Sequence, residues 1–196
     1  MNVLSLFSGG GIGETRLHEL GIKVVMGIEK IENRCSFYSK VNEGEILNGD
    51  LSNEKIKESL YKFIKFKPID VIIATPPCQG MSIAGNMIKD DHRNLLIIDT
   101  IQIIKKIKPK YVFLENVPRQ LKTYISFKNK KVKIPEYIFF SLKNEYSFNK
   151  QVLIKAMHYE IPQMRERNIM LLSRKDQKYI WEFPKPSNRI ITLNDA

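Results

Sequence analysis

Residues 3–13 read VLSLFSGGGIG, a short apolar run that stops at a cluster of glycines. The apolar run predicts a strand over residues 3–7, and the residues after the glycines predict a helix over 13–20. Glycines between the two let the backbone turn tightly and approach a ligand closely. Such turns occur in many parallel α/β folds, so this one does not by itself identify a ligand.

The rest of the chain alternates between strand-like and helix-like segments. Strands are predicted over residues 23–28, 45–47, 70–74, 111–114, 151–156 and 168–172, and helices over 31–41, 53–66 and 94–107. This alternation predicts an α/β fold with a doubly wound, mostly parallel sheet and helices on both faces. Residues 120–150 are less clear and contain a basic run over 128–133, followed by a short helix over 136–142. We expect one domain over residues 1–182 and an extended linker over 183–196.

The chain has 196 residues, a formal net charge of +11 and a sequence pI of about 9.6. A basic surface attracts polyanions, most commonly nucleic acid, although lysines can also serve solubility alone. The two cysteines, Cys35 and Cys78, form no close pair, which argues against a disulfide framework or a zinc site and fits a reducing cytoplasm. No apolar run is long enough to cross a membrane and no secretory signal is seen, so we expect neither a membrane partner nor a bound metal.

An acidic residue follows the second predicted strand. Glu29 stands where a carboxylate can accept hydrogen bonds from ribose hydroxyls, so with the glycine turn it implies a cofactor that contains a nucleoside. The dinucleotide fingerprint Gly-x-Gly-x-x-Gly is matched by Gly9 and Gly11, but its sixth position is Glu14. A carboxylate there is hard to pack between helix and strand, and it repels a pyrophosphate. S-adenosylmethionine carries no phosphate and fits better, so a nicotinamide dehydrogenase is the weakest interpretation.

A cysteine lies in a rigid loop after the strand predicted at residues 70–74. Residues 74–82 read ATPPCQGMS, and two prolines stiffen the approach to Cys78. Ligands bind beyond the carboxyl ends of strands in open α/β sheets, and nearby arginines can raise the thiolate fraction of a cysteine there. Cys78 is therefore a candidate nucleophile, whereas Cys35, within a predicted helix, is interpreted as a structural residue.

Seven short motifs resemble those of the DNA (cytosine-5) methyltransferase family and stand in the family's order. They are LFSGGG at residues 6–11, Glu29, NGDL at 48–51, PPCQ at 76–79, DHRNLL at 91–96, ENV at 115–117 and PQMRER at 162–167. Each motif alone is weak or moderate, but the ordered set is specific and runs through most of the chain. The resemblance implies a Rossmann-like, S-adenosylmethionine-dependent methyltransferase fold.

The resemblance also implies a mechanism and the residues that carry it. The Cys78 thiolate attacks carbon 6 of a cytosine that has left the duplex, and Glu115 hydrogen-bonds or protonates the ring at N3. Asn116 holds the Glu115 loop in shape, while Arg167 contacts the base O2 with Arg165 nearby. The residues implied in binding the cofactor are Phe7, Ser8, Gly9, Gly11, Glu29, Lys30, Asp50, Leu51, Pro76 and Leu96.

The chain departs from the usual residues of the family at several positions. Thr75 stands where glycine is usual, Met81 replaces a common phenylalanine, and Ile12 takes a glycine position. Lys30 stands where an apolar residue often packs on the adenine, and its aliphatic stem can substitute for that residue. These differences bear on affinity rather than on the class of protein.

The family's target-recognition region and its last two motifs are not found in the chain. We therefore expect a truncation or one subunit of a split enzyme, weak or inactive alone, from a restriction-modification or phage system. The implied partners are double-stranded DNA with a flipped cytosine and a second polypeptide that carries the recognition region. Two alternatives stay open, an RNA (tRNA) cytosine-5 methyltransferase and a non-catalytic regulatory or binding subunit.

Overall fold

The computed structural model of the chain describes residues 1–77, 95–128, 130–149 and 153–195. Cys78, the predicted nucleophile, lies outside the described residues. So do Met81 and residues 91–94 of the DHRNLL motif.

A mixed sheet of eight strands organises the described chain. Its strands are β1 (Asn2–Leu6), β2 (Lys23–Glu29), β3 (Glu45–Asn48), β4 (Val71–Ala74), β5 (Tyr111–Asn116), β8 (Tyr146–Phe148), β9 (Leu153–Lys155) and β10 (Glu166–Arg174). The strand order is β3-β2-β1-β4-β5-β10-β8, with β9 also paired to β10. The first five strands in this order are parallel, and β10 runs antiparallel to β5, β8 and β9. The prediction of a mostly parallel α/β sheet is confirmed.

Four α-helices, a small hairpin and short 3₁₀ helices complete the described elements. The helices are α1 (Glu32–Val41), α2 (Glu54–Ile64), α3 (Leu96–Ile107) and α4 (Ile134–Leu142), and the hairpin consists of β6 (Tyr124–Phe127) and β7 (Lys130–Lys133). Asn53 caps α2 as predicted, because its side chain accepts a hydrogen bond of 2.9 Å from the Lys55 backbone N–H. The hairpin and β8 were not predicted, since residues 120–150 showed no clear pattern.

The prediction of one helix over residues 13–20 is wrong. Two short 3₁₀ helices, Ile12–Glu14 and Leu17–Leu20, occupy this stretch instead. The Thr15 hydroxyl donates to the Ile12 carbonyl at 3.0 Å, so it satisfies locally an oxygen that a continuous helix would use. Glu14 is also turned inward and receives a hydrogen bond from the Ser5 hydroxyl, although a carboxylate was expected to pack poorly there.

Apolar side chains pack on both faces of the sheet. Successive strand residues point to opposite faces, so Leu4 and Met26 join the main core with α2, α3 and α4. Val3 joins a smaller cluster with Trp181 on the other face. The residue after Met26 is Gly27, and a side chain there would run into the ring of Tyr38, so α1 lies on that second face. Helices therefore cover both faces, as predicted.

The segment after β10 contains no helix or strand in its described residues, 175–195. Trp181 anchors its first part, because its ring meets Tyr111 with centroids 5.9 Å apart and its backbone N–H donates to the Ser173 hydroxyl at 2.7 Å. The Ser187 backbone N–H donates to the His158 carbonyl at 2.8 Å, and the Ser187 hydroxyl donates to the Glu160 carboxylate at 2.7 Å. The linker expected over 183–196 stays a prediction. No helix among the described residues has both the length and the apolar character needed to cross a bilayer.

Candidate active site

A cavity of about 1010 Å³ opens at the carboxyl edge of the parallel strands. The loops that follow β1 to β5 all reach it, as expected for an open α/β sheet. Antiparallel β10 begins at the edge where its neighbours end, since Asn168 pairs with Asn116, and this brings Arg165 and Arg167 to the same cavity. The sheet thus gathers motifs that are more than 150 residues apart in the sequence.

The glycine turn is held against Glu29. The Gly9 backbone N–H donates to Glu29 Oε2 at 3.0 Å, and the Ile31 backbone N–H donates to Oε1 at 2.8 Å. Arg34 lies 4.0 Å from the same carboxylate. Gly11 has a φ of +71°, and a Cβ there would lie 2.5 Å from the ring of Tyr38, so both its backbone and its surroundings require glycine. Glu29 therefore shapes the turn and lines the cavity.

The backbone of Phe7 adopts the left-handed conformation, although Phe7 is not a glycine. Its φ is +59°, a conformation that costs a bulky L-residue about 1 kcal/mol or more. The Thr75 hydroxyl donates to the Phe7 carbonyl at 3.0 Å, and the Thr75 backbone N–H donates to the Leu6 carbonyl at 3.2 Å. Thr75 thus ties the loop after β4 to the loop after β1.

Asp50 and Lys30 form an ion pair on the wall of the cavity. Lys30 Nζ lies 2.8 Å from Asp50 Oδ2, and Ser52 donates to Oδ1 through its backbone N–H at 2.9 Å and its hydroxyl at 2.8 Å. The Lys30 ammonium, with help from Ser52, lowers the pKa of Asp50 to about 2, so this carboxyl is ionised at neutral pH. Buried Leu51 adds apolar surface beside it.

Glu115 and Arg167 face each other across neighbouring strands. Arg167 Nε lies 2.7 Å from Glu115 Oε1, and a second nitrogen of Arg167 donates to the Glu166 carbonyl at 2.7 Å. Both side chains are about one quarter exposed, so a ligand in the cavity can reach them. Arg165 also lines the cavity and, among the described residues, has no carboxylate partner. It lies one residue before β10 rather than on the strand itself.

Asn116 connects β5 to the Pro76-Pro77 turn. Its side-chain N–H donates to the Pro76 carbonyl at 3.0 Å, and its side-chain oxygen accepts from the Val117 backbone N–H at 2.8 Å. Asn116 is only 3% exposed, and its bond to Pro76 is buried, so an unpaired polar group would be costly there. The two prolines that precede Cys78 are therefore fixed against the strand that carries Glu115.

Seven of the ten residues predicted to bind the cofactor line the cavity. They are Phe7, Glu29, Lys30, Asp50, Leu51, Pro76 and Leu96. Ser8, Gly9 and Gly11 do not line it, because they form the turn behind Phe7 and Glu29. Of the predicted catalytic residues, Glu115, Asn116, Arg165 and Arg167 line the cavity.

Asp99 lines the cavity but was not predicted. It follows Leu96 by one helical turn, so helical spacing places both residues on one face of α3. One of its oxygens is held 2.6 Å from the ammonium of buried Lys57 on α2. The three-residue spacing between Leu96 and Asp99 was the signal in the sequence that could have identified Asp99.

The family model and the similar known proteins all indicate the same family. Residues 1–195 match the family model described as C-5 cytosine-specific DNA methylase. The Type II methyltransferase M1.HgaI of Avibacterium volantium is 36% identical over 98% of the chain, which covers 55% of that protein. The Type II methyltransferase M.HhaI of Haemophilus parahaemolyticus is 32% identical over 95% of the chain, which covers 53% of it. The chain thus spans about half the length of these relatives.

Solved structures show the same fold. A putative DNA modification methyltransferase encoded within an Escherichia coli prophage superposes with a TM-score of 0.76 at 26% identity. The match covers the whole of this chain and 53% of that one. A mutant of Spodoptera frugiperda DNMT2 has a TM-score of 0.65 at 23% identity, covering 97% of this chain and 54% of its own, and shows the fold alone.

Proposed function

Because the chain belongs to the C-5 cytosine-specific DNA methylase family, we propose that it transfers a methyl group to carbon 5 of cytosine in DNA. The observation that carries the proposal is the convergence of Glu115, Arg167 and the Pro76-Pro77 turn on the cavity that Glu29 and Asp50 line. Base-handling groups and nucleoside-handling groups thereby share one enclosed space.

The family uses S-adenosylmethionine, and the cavity fits this cofactor in size and charge. Ligand pockets of roughly 300–1,000 Å³ hold drug-sized molecules, so about 1010 Å³ leaves room for a nucleoside cofactor and a base. The carboxylates of Glu29, Asp50 and Asp99 suit ribose hydroxyls, the adenine amino group and the positive charges of the cofactor. When bound there, the cofactor supplies an electrophilic methyl group on a sulfonium.

The proposed chemistry begins at Cys78, whose thiolate adds to carbon 6 of a flipped cytosine. Arg167 donates a hydrogen bond to the base O2, and Glu115 in its protonated form donates one to N3, so both disperse the charge that develops in the ring. Carbon 5, made electron-rich by this addition, would then accept the methyl group that the cofactor supplies, and the electron pair of the broken bond would stay on the cofactor sulfur. Loss of the carbon 5 proton to a base and departure of the Cys78 thiolate restore the double bond between carbons 5 and 6.

Arg165 suits a role beside the base. It is a cation in the cavity without a carboxylate partner in the described part of the chain, so it is free to bond the base or its phosphate. Its backbone carbonyl accepts from the Ala156 N–H at 2.9 Å, which fixes where its side chain begins.

We propose further that target recognition is supplied by residues outside these 196, either on a second polypeptide or on the rest of a longer chain. The support is that the chain covers only 55% of M1.HgaI. Methyl transfer by the chain alone is expected to be weak, and to rise when the polypeptide with the recognition region is added. Full, sequence-specific activity of the chain alone would contradict this part of the proposal.

The experiment that tests the reaction is covalent trapping on DNA containing 5-fluorocytosine. Fluorine at carbon 5 blocks the final elimination, so an active enzyme stays attached to the DNA. The chain is incubated with S-adenosylmethionine and this DNA, with and without the candidate partner polypeptide, and the adduct is resolved by denaturing electrophoresis. We expect an adduct that Cys78→Ser abolishes.

Cys35 offers a matched control, because it is the other cysteine of the chain. It is buried, and its thiol donates to the Glu29 carbonyl at 3.3 Å, a bond that serine can replace. Cys35→Ser should therefore keep the adduct. An adduct that survives in Cys78→Ser, or tritium transfer to tRNA but not to DNA, would overturn the proposal.

A further inference from the structure

One segment of the chain concentrates positive charge to an unusual degree. Residues 117–133 contain Arg119 and five lysines, with no aspartate or glutamate. These six cations amount to more than half of the net charge of +11, although the segment is a small part of the chain. None of them forms an ion pair with a described residue, whereas lysines elsewhere, such as Lys57 and Lys110, do.

The hairpin of β6 and β7 orders part of this charge on one face. Ile125 pairs with Val132, and both pack on the core, so the inner face of the hairpin is anchored. Alternation along the strands places the neighbouring pairs, Tyr124 with Lys133 and Ser126 with Lys131, on the outer face. Lysines and hydroxyl groups thus alternate on a surface that the core holds in place.

An exposed aromatic side chain lies within this basic face. Tyr124 is 54% exposed, and the Lys133 ammonium lies 5.9 Å from its ring centroid. Lysines placed only for solubility have no need of an exposed aromatic ring between them. Lysine, serine and tyrosine side chains are those that contact phosphate and sugar in protein–DNA interfaces.

Only a short stretch of chain separates the hairpin from the candidate active site. Val117 lines the cavity, and the chain runs from it through a short 3₁₀ helix, Pro118–Lys122, to Tyr124. Seven residues span at most about 25 Å, even when fully extended. A duplex extends well beyond the base that it delivers, so phosphates that flank a flipped base fall within this reach.

We propose that the β6–β7 hairpin binds the phosphate backbone of duplex DNA beside the flipped base, through Tyr124, Ser126, Lys131 and Lys133 on its outer face and Lys128 in its turn. The contact is independent of base sequence and adds affinity and orientation rather than specificity. The inference rests on the proposed function for the choice of DNA as the polyanion.

The test is the salt dependence of DNA binding by the full chain. The hairpin variant carries Lys128→Gln, Lys131→Gln and Lys133→Gln, and its control carries Lys40→Gln, Lys55→Gln and Lys62→Gln. The control removes the same charge from exposed positions on α1 and α2, outside the hairpin segment. Binding to a fluorescein-labelled 30-base-pair duplex is followed by fluorescence anisotropy between about 50 and 200 mM salt.

We expect the hairpin variant to bind the duplex at least about ten-fold more weakly at 50 mM salt. Its slope of log Kobs against log salt should be shallower by about 2.7, since each contact with B-DNA phosphate contributes about 0.9. The control variant should keep most of the affinity and of the slope. Circular dichroism spectra of both variants should match the unsubstituted chain, because five of the six substituted side chains are exposed and Lys133 is only half-buried.

Three results would overturn the proposal. The first is a hairpin variant that binds duplex DNA like the control, and the second is an unsubstituted chain with no measurable affinity for duplex. The third is a loss confined to a folded RNA hairpin of similar length, which would assign the surface to RNA. Trapping on 5-fluorocytosine DNA at saturating concentration separates the two proposals, since it reports on Cys78 and not on the hairpin.

Discussion

Arg167 Nε lies 2.7 Å from Glu115 Oε1, so the two residues expected to hold the adjacent O2 and N3 positions of a cytosine ring are already paired across β5 and β10. The pair positions both side chains before any base arrives. A ring that enters the cavity would find one carboxylate and one guanidinium at a fixed separation, which lowers the cost of ordering them.

The first prediction concerns this pair. Arg167→Met removes the charge and keeps the aliphatic stem, so it should slow adduct formation on 5-fluorocytosine DNA about 100-fold, as expected when one donor to a developing charge is lost. Binding of S-adenosylmethionine, measured by calorimetry, should change less than two-fold. Lys155→Met is the control, because Lys155 pairs with Glu166 at 3.0 Å beside the same end of β10. Equal losses in the two variants would refute the assigned role.

The second prediction concerns the bond between Asn116 and Pro76. Asn116→Asp replaces the N–H that the Pro76 carbonyl accepts with a second acceptor, in a buried site. We expect unfolding free energy to fall by about 1–3 kcal/mol in urea titrations. Adduct formation through Cys78 should be lost even at temperatures where the variant stays folded.

The control Asn168→Asp shows whether lost stability alone explains the loss of the adduct in Asn116→Asp. Asn168 is also buried, and its side-chain N–H donates to Gln120 at 2.8 Å. In Asn168→Asp the Gln120 amide can rotate and become the donor, so stability should fall less and the adduct should form. If Asn168→Asp abolishes the adduct as well, the Asn116 bond has no special part in presenting the cysteine.

The third prediction concerns Thr75 and the left-handed Phe7. Thr75→Val keeps the shape of the side chain and removes the hydroxyl that donates to the Phe7 carbonyl. We expect S-adenosylmethionine to bind about 2- to 12-fold more weakly by calorimetry, in line with a net hydrogen-bond contribution of about 0.5–1.5 kcal/mol. Thr75→Ser should restore the affinity. If Thr75→Val and Thr75→Ser change the affinity for S-adenosylmethionine equally, the Thr75 hydroxyl does not have the role assigned to it.

The fourth prediction concerns the pH dependence of stability. Burial raises the pKa of Glu14, while the bond from Ser5 acts in the opposite direction. A carboxyl whose pKa is raised on folding contributes stability that is present below its unfolded pKa and is lost as pH rises through the folded pKa. One Glu14 oxygen is also buried without a hydrogen-bond partner among the described residues.

Glu14→Gln should therefore be more stable than the unsubstituted chain at pH 8 and nearly equal to it at pH 4. Glutamine keeps an oxygen for the Ser5 hydroxyl and cannot ionise. Urea titrations at both pH values give the difference, and Glu19→Gln is the control, since Glu19 lies on the surface in a pair with Arg16. A Glu14→Gln variant destabilised equally at both pH values would contradict the interpretation.

Much of the fold was determined by local sequence patterns. Alternation of apolar runs located the parallel strands β1, β2, β4 and β5, because buried strands need continuous β-branched and apolar residues. Asn53 marked the start of α2 by the chemistry of its side chain. The order of short motifs was likewise sufficient to identify the family, since it depends on residue types and not on coordinates.

Tertiary structure decided what local patterns could not. Glu14 looked like a residue that resists burial, but Ser5 on the neighbouring strand gives its carboxylate a partner inside. The basic run over residues 128–133 lay in a stretch with no clear pattern, yet Ile125 and Val132 fix the hairpin through contacts with the distant core. The pairing of Glu115 with Arg167 also arises only when antiparallel β10 brings its first residues to the edge where β5 ends, because residues so far apart in sequence meet only through the sheet.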